Sequence, residues 1–179
     1  MGIPNILTKQ PGGWGEDSQV LRELLLSPLA AGLHPFSRAL LFAADRAEHI
    51  RRVVLPALQD GITVVVDRWE LSLIAYCAAA GGMLRDAMVL ADWSSVGVRA
   101  DATVVIAVPP TLAYARLLNR DGESGLTVYE RRGEGFARTV ASVMGLFGPE
   151  DRVHHVDGVR RKDEVEAEIW GILGGLWGS

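Results

Sequence analysis

The chain has 179 residues, 49% of them hydrophobic and 22% charged, which suits one unit with a full core and excludes a disordered segment. A net charge of −4 argues against broad binding to nucleic acid or to an acidic membrane surface. The lone cysteine, Cys77, excludes an internal disulfide and points to a reducing compartment, the cytoplasm.

The first residues, Met1–Leu7, lack the basic region and long apolar core of a secretory leader. No apolar run approaches the ~20 residues of a membrane span. Asn5–Lys9 reads as a short strand, stopped by the glycine-rich turn Gln10–Gly15. Val20, Leu21, Leu24 and Leu25 recur at helical spacing over Ser18–Ser27, with Ser18 as a candidate N-cap and Pro28 as the terminator. Pro35 then opens the longest periodic segment. Phe36, Leu40, Ala43, Ala47, Ile50, Val54 and Leu58 predict an amphipathic helix running to Gly61, loosened near Pro56. Phe42 and Arg46 lie one turn apart on another face of that helix. Taken alone, Phe42 reads as packing on a neighbouring helix.

Ile62–Asp67 is β-branched and almost wholly apolar, which predicts a buried parallel strand. It ends in the charged pair Asp67-Arg68, at the carboxyl end of a strand where ligands of α/β proteins bind. A helix over Leu71–Ala80 follows, broken by Gly81-Gly82. Next come a helix over Arg85–Val96, a second apolar strand over Ala102–Val108, and a helix from Thr111 to Arg120 after Pro109-Pro110. Asp121–Thr127 is a polar, glycine-containing loop, predicted to be mobile. A weakly patterned helix over Gly133–Phe147 leads to a short strand, Val153–Val156. Lys162–Trp177 closes the chain as a helix with Val165, Ile169, Ile172, Leu173 and Leu176 inward. Strands alternate with helices, so the expected fold is a parallel sheet flanked by helices, in one domain over residues 1–179.

A phosphate-binding loop needs glycines and a Gly-Lys pair. The two lysines, Lys9 and Lys162, do not follow glycine, so that loop is not present in this sequence. Pro11–Gly15 reads as a surface turn. His34 and His49 are far apart, and His154 and His155 face opposite ways on a strand, so zinc spacing is not met. No Gly-x-Ser-x-Gly nucleophile turn occurs.

Thr8-Lys-Gln-Pro-Gly-Gly13, Leu40-Leu-Phe-Ala-Ala-Asp-Arg46, Asp67-Arg68-Trp69 with Ser72 and Ala75-Tyr76, and Val108-Pro109-Pro110 occur in this order. Together they resemble thymidylate kinase, over nearly the whole chain from Asn5. The resemblance implies a nucleoside-monophosphate-kinase fold and a site for dTMP. It implies that Phe42 stacks on the thymine and Arg46 hydrogen-bonds its edge. By the same resemblance Arg68 grips the monophosphate, Ser72 and Tyr76 line the pocket, and Asp67 sits near magnesium as the candidate catalytic and metal residue. It also implies ATP as phosphate donor and a homodimer formed through helices, for which Ala75–Ala80 and the long helix are apolar enough. Otherwise those segments are simply core.

The departures lie on the donor side. The family's first strand, phosphate loop and first helix have no counterpart in this sequence. The family's Arg-Glu-Pro-Gly-Gly is Lys9-Gln10-Pro11-Gly12-Gly13 here. The glutamine after the tyrosine is Cys77, and the aspartate of the family's fourth strand is Ala107. In the lid-like loop, about residues 121–133, Thr127–Glu130 lacks the expected arginine, and Arg131 and Arg132 read as solvated charges. Phosphoryl transfer rests on positioning and charge neutralisation, so these losses imply weak or no ATP and magnesium binding. Three readings follow: a degenerate, non-catalytic nucleotide-binding homologue; an active kinase whose phosphate loop is missing from this chain; and a structural or dimer-partner module with a vestigial pocket. Without the family's central first strand, Ile62–Asp67 and Ala102–Val108 are expected to pair directly.

Overall fold

The structure, a computed structural model, describes residues 3–122 and 126–177. Four parallel strands are β1 (Asn5–Lys9), β2 (Thr63–Asp67), β3 (Thr103–Ala107) and β4 (Val153–Asp157). The helices are α1 (Ser18–Leu26), α2 (Pro28–Ala31), α3 (Pro35–His49), α4 (Leu55–Gln59), α5 (Glu70–Ala79), α6 (Leu84–Ser94), α7 (Pro110–Asp121), α8 (Gly133–Met144) and α9 (Lys162–Trp177). The α/β alternation expected from the sequence is therefore present. Within the lid-like loop, Glu123–Gly125 lie outside the described residues.

The strands form two separate parallel pairs. β1 pairs with β2 from Asn5↔Thr63 to Lys9↔Asp67, and β3 pairs with β4 from Thr103↔Val153 to Ala107↔Asp157. No ladder joins β2 to β3 among the described residues. This corrects the expected direct pairing of those two strands. The helix layer explains it: α5 packs on α6 and α8, and α3 on α5 and α6, around a filled core of Ala39, Ala43, Ile74, Ala75, Ala87, Leu90 and Ala91. Pairing β2 directly with β3 would require moving one strand pair against that packing. The strands are accordingly less buried than their apolar runs predict. Val65 is 49% exposed, Ile106 54% and Leu7 77%.

The long helix divides where Pro56 predicts. Pro56 has no N–H for the Arg52 carbonyl, and one turn ahead of it Ile50–Val54 widens into a π-helical segment before α4 resumes. The predicted apolar stripe is only partly inward, since Phe36, Leu40 and Leu58 are exposed. The buried face of α3 instead carries Arg38, Ala39, Ala43, Asp45, Arg46 and His49. Ser18 is the first residue of α1 rather than its cap; its hydroxyl donates to the Gly15 carbonyl and accepts from the Gly13 amide. On α9, Leu176 is exposed rather than inward. Ala75 and Cys77 belong to the core, which favours the core reading of that segment.

Candidate functional site

A cavity of about 340 Å³ opens between α3, α5, the β1–α1 loop and the turn carrying Tyr129. That volume lies in the range of small-molecule sites. Phe42, Arg46, Arg68, Ser72 and Tyr76 all line it, although they come from two helices and a strand tip. Asp67 is the exception: it is exposed at the carboxyl end of β2 and is not part of the lining. No cluster of three His, Cys, Asp or Glu able to hold a metal occurs among the described residues.

The wall from β1 is pinned to α3 by a buried polar chain. Asp45, 1% exposed, accepts from the Gly12 amide at 3.0 and 3.1 Å and from Trp14 Nε1 at 3.0 Å. Burial pushes the Asp45 carboxyl up, against the hydrogen bonds from Trp14 and Gly12 and the charge of Arg22. Arg46 donates to Gln10 Oε1 and to Glu70 Oε2, each at 3.4 Å, and its guanidinium lies 3.9 Å from the centre of the Trp69 ring. Burial lowers the Arg46 pKa to about 10, partly offset by Glu70, so it stays charged at neutral pH.

The Gln10 carbonyl faces Arg46, which turns the Gln10 amide nitrogen to His49 Nδ1 at 2.9 Å. That nitrogen has only hydrogens to give, so Nδ1 accepts. His49 Nε2 then carries the proton and donates to Thr8 Oγ1 at 2.8 Å, and Thr8 donates to the Gly13 carbonyl at 3.2 Å. His49 is fully buried, and burial with the neighbouring Arg46 lowers its pKa to about 4. The chain Gly13–Thr8–His49–Gln10–Arg46–Glu70 is thus consistent only with a neutral imidazole. Sequence reading singled out Gln10 as a changed residue but gave His49 no such part; its spacing, one turn from Asp45 on the same helix face, was the available signal.

Arg68 sits at φ 71°, a left-handed conformation unusual for a residue with a side chain and costing of order 1 kcal/mol. Its Nη1 donates to the Tyr76 hydroxyl at 3.0 Å, which aims the guanidinium along the cavity mouth. Phe42, Tyr76, Tyr129 and Phe136 form an aromatic cluster, with ring centres 5.9 Å apart for Phe42–Tyr129 and 5.6 Å for both Tyr76–Tyr129 and Tyr76–Phe136. Phe42 therefore meets a tyrosine over the cavity, not only a neighbouring helix. Tyr129 is buried, which raises its pKa. Arg131 and Arg132 are exposed and outside the lining, but they are not simply solvated, since Arg131 Nε donates to the Leu126 carbonyl at 3.0 Å and Arg132 lies 5.5 Å from the centre of the Phe136 ring. Arg120, not anticipated, is in the lining and pairs with Glu130 at 3.9 Å.

Two features define what this cavity accepts. Five arginines line it (Arg22, Arg38, Arg46, Arg68, Arg120) against two carboxylates, Asp45 and Glu130, in a chain of net charge −4. In addition, every buried side-chain polar atom left without a hydrogen bond among the described residues belongs to a lining residue: Arg38 Nε and Nη1, Arg46 Nε, Trp69 Nε1 and the Tyr129 hydroxyl. Each such donor costs about 1–3 kcal/mol when buried unpaired. All but the tyrosine can only donate. A ligand rich in acceptor oxygens and negative charge satisfies them.

Comparison with known proteins agrees with this chemistry. A family model described as Thymidylate kinase matches residues 1–169. The thymidylate kinase of Symbiobacterium thermophilum is 33% identical over 169 residues, covering 93% of this chain and 77% of that protein. That of Carboxydothermus hydrogenoformans is 33% identical over 179 residues, covering 98% of this chain and 85% of that protein. That of Neisseria gonorrhoeae is 35% identical over 182 aligned positions, with 99% and 85% covered.

Proposed function

The chain belongs to the thymidylate kinase family, and from that premise we propose that its cavity holds the phosphate acceptor, dTMP. The observation that carries this reading is the set of buried, unpaired donors, all on one arginine-lined cavity. In this reading Phe42 stacks on the base, Arg46 faces its edge, Arg68 grips the monophosphate, and Ser72 and Tyr76 shape the sugar site. The nucleoside-monophosphate-kinase fold, as one domain over 1–179, is part of the same proposal.

We take these residues by themselves to bind dTMP without transferring phosphate. No Gly-Lys pair is present in the sequence to cradle the donor, and neither Arg131, whose Nε donates to the Leu126 carbonyl, nor Arg132, beside the Phe136 ring, lines the cavity. Asp67, a single carboxylate beside Arg68, suits a magnesium ion carried mainly by phosphate and water. Such an ion, when bound, would neutralise phosphate charge. The single cysteine keeps a cytoplasmic setting in the proposal. A homodimer would use the exposed Met83, Met88, Val89 and Trp93 around α6 rather than the buried Ala75 and Cys77.

A second reading is favoured by the sheet. β2 and β3 share no ladder, and Val65 and Ile106 are half exposed, as strands awaiting a further strand would be. A strand and phosphate loop supplied from outside these residues would then complete an active kinase. Calorimetric titration of the chain with dTMP and with ATP tests the acceptor site, and a phosphate-transfer assay on the chain and on a version extended by the coding sequence upstream of Met1 separates the two readings. Binding of dTMP without turnover by these residues fits both; turnover by the extended version alone supports the second, its absence the first, and failure to bind dTMP removes both in favour of a structural module.

A further inference from the structure

His49 is wholly buried and has no part in the binding roles above. Neither it nor Thr8 lines the cavity, so neither touches a ligand held there. Between His49 and the cavity stands Gln10, which does line it. The Gln10 backbone is fixed, since its amide donates to the Asp67 carbonyl at 3.0 Å. What is left free is the turn of its side-chain amide, which can present oxygen or nitrogen to Arg46.

The direction of each hydrogen bond is forced from the backbone. The Gly13 carbonyl can only accept, so the hydroxyl hydrogen of Thr8 goes there, over 3.2 Å. The Thr8 oxygen is left to accept, and His49 Nε2, 2.8 Å away, carries the proton between them. A neutral ring protonated at Nε2 has a bare Nδ1, which accepts from the Gln10 amide nitrogen at 2.9 Å. That turns Gln10 Oε1 to Arg46, which can only donate. Arg46 is thereby held between Gln10 and Glu70, over the Trp69 ring. Its Nε, buried and without a partner among the described residues, is left for a ligand.

We propose that His49 is a positioning residue of this cavity: its bare Nδ1 fixes the turn of the Gln10 amide, and through it the Arg46 guanidinium. This rests on the monophosphate reading above, but not on which group of the nucleotide Arg46 meets. Without an acceptor at Nδ1, the Gln10 amide can turn over and face Arg46 with its nitrogen, donor to donor. Arg46 then keeps only Glu70, which is half-buried at the start of α5. A carboxylate at position 10 accepts through both oxygens, so it holds Arg46 whatever His49 presents. The dependence on His49 is therefore a consequence of the amide at Gln10.

The test is calorimetric titration with dTMP and with thymidine. It compares the wild type, His49→Phe, His49→Asn, Gln10→Glu and the double variant carrying His49→Phe with Gln10→Glu. His49→Phe lowers affinity for both ligands by about 3- to 10-fold, the worth of one neutral hydrogen bond. His49→Asn, whose amide oxygen can stand in for Nδ1, stays within about 2-fold of the wild type. Adding His49→Phe to Gln10→Glu changes affinity by less than about 2-fold, because the carboxylate already holds Arg46. A merely structural role gives the same loss in both backgrounds, and that result overturns the inference. Unchanged affinity in His49→Phe overturns it too, as does a loss in His49→Asn as large as in His49→Phe. Should His49→Phe fail to fold, ring nitrogen NMR of the wild type with thymidine bound decides. A bare Nδ1 supports the inference and a protonated Nδ1 overturns it. A wild type that binds neither ligand refutes the monophosphate reading, and the inference falls with it.

Discussion

The Gln10 side chain donates to Nδ1 of His49 over 2.9 Å, in a contact where His49 is wholly buried and Gln10 nearly so. The family to which the chain is related by its sequence pattern carries a glutamate at this place. A carboxylate has no hydrogen to give. Gln10→Glu should therefore require Nδ1 to carry the proton, and the added negative charge should raise the His49 pKa from about 4 by more than one unit. Ring nitrogen shifts in an NMR titration report both. A ring whose Nδ1 stays bare, with its pKa unmoved, would show that the tautomer is set elsewhere.

The same residue makes stability depend on pH. In the unfolded chain His49 takes up a proton near pH 6.5, whereas in the folded chain burial and Arg46 delay this to about 4. The unfolded state thus binds more protons between those values. The contribution is complete above about pH 6.5 and is lost as pH falls towards 4, by on the order of 3 kcal/mol. Asp45 acts in the opposite sense, since burial raises its pKa and favours the folded state at lower pH. Urea unfolding at pH 7 and pH 4.5 should show the wild type losing roughly 2–3 kcal/mol more than His49→Gln. Equal losses in the two proteins would remove His49 from the account.

Gly13 shows how the loop and the buried chain depend on each other. At φ +98°, an added Cβ would lie 2.6 Å from the Lys9 carbonyl oxygen and 2.9 Å from Thr8 Oγ1, the hydroxyl that accepts the hydrogen bond from His49. Gly15 is equally left-handed at φ +118°, but nothing lies within 4 Å of its Cβ position. Gly15→Ala should cost about 1 kcal/mol from backbone strain alone, and Gly13→Ala at least about 2–3. Thermal or urea unfolding of the two variants gives the comparison, and equal costs would refute the close contact.

Much of the site could be read from residue order because its members sit at strand tips and fixed helical spacings. Asp67-Arg68 ends an apolar strand, which marked a ligand-binding end, but periodicity alone gave Phe42 to helix packing, and the grouping of Phe42 and Arg46 with Arg68 on one cavity was implied by the resemblance to thymidylate kinase. β1, β2, β3 and β4 all fall where the apolar runs end in turn residues. Their exposure was not legible, because burial depends on what lies beside an edge and not on the strand's own residues. Arg38, Asp45 and His49 were missed for a related reason. Binary patterning assigns polar helix residues to solvent, and a buried polar face repeats with the same period as an exposed one. The orphaned donors of Arg38 become visible only when its neighbours are known.

Phe42 and Arg68 should separate base recognition from phosphate recognition. Stacking of a base on an aromatic ring is worth about 1–3 kcal/mol by alanine substitution. Phe42→Ala should weaken dTMP and thymidine alike by that amount, while Phe42→Trp retains most of the binding. Arg68 lines the cavity with a guanidinium held by Tyr76, and a charge-assisted contact to phosphate contributes about 1.5–3 kcal/mol. Arg68→Ala should therefore weaken dTMP but leave thymidine unchanged, because thymidine has no phosphate to lose. Tyr76→Phe removes the hydroxyl that holds Arg68 and should give a smaller loss confined to dTMP. Titration of both ligands against all four variants resolves the pattern. If Arg68→Ala weakened thymidine as much as dTMP, Arg68 would be shaping the cavity through Tyr76 and not holding a phosphate.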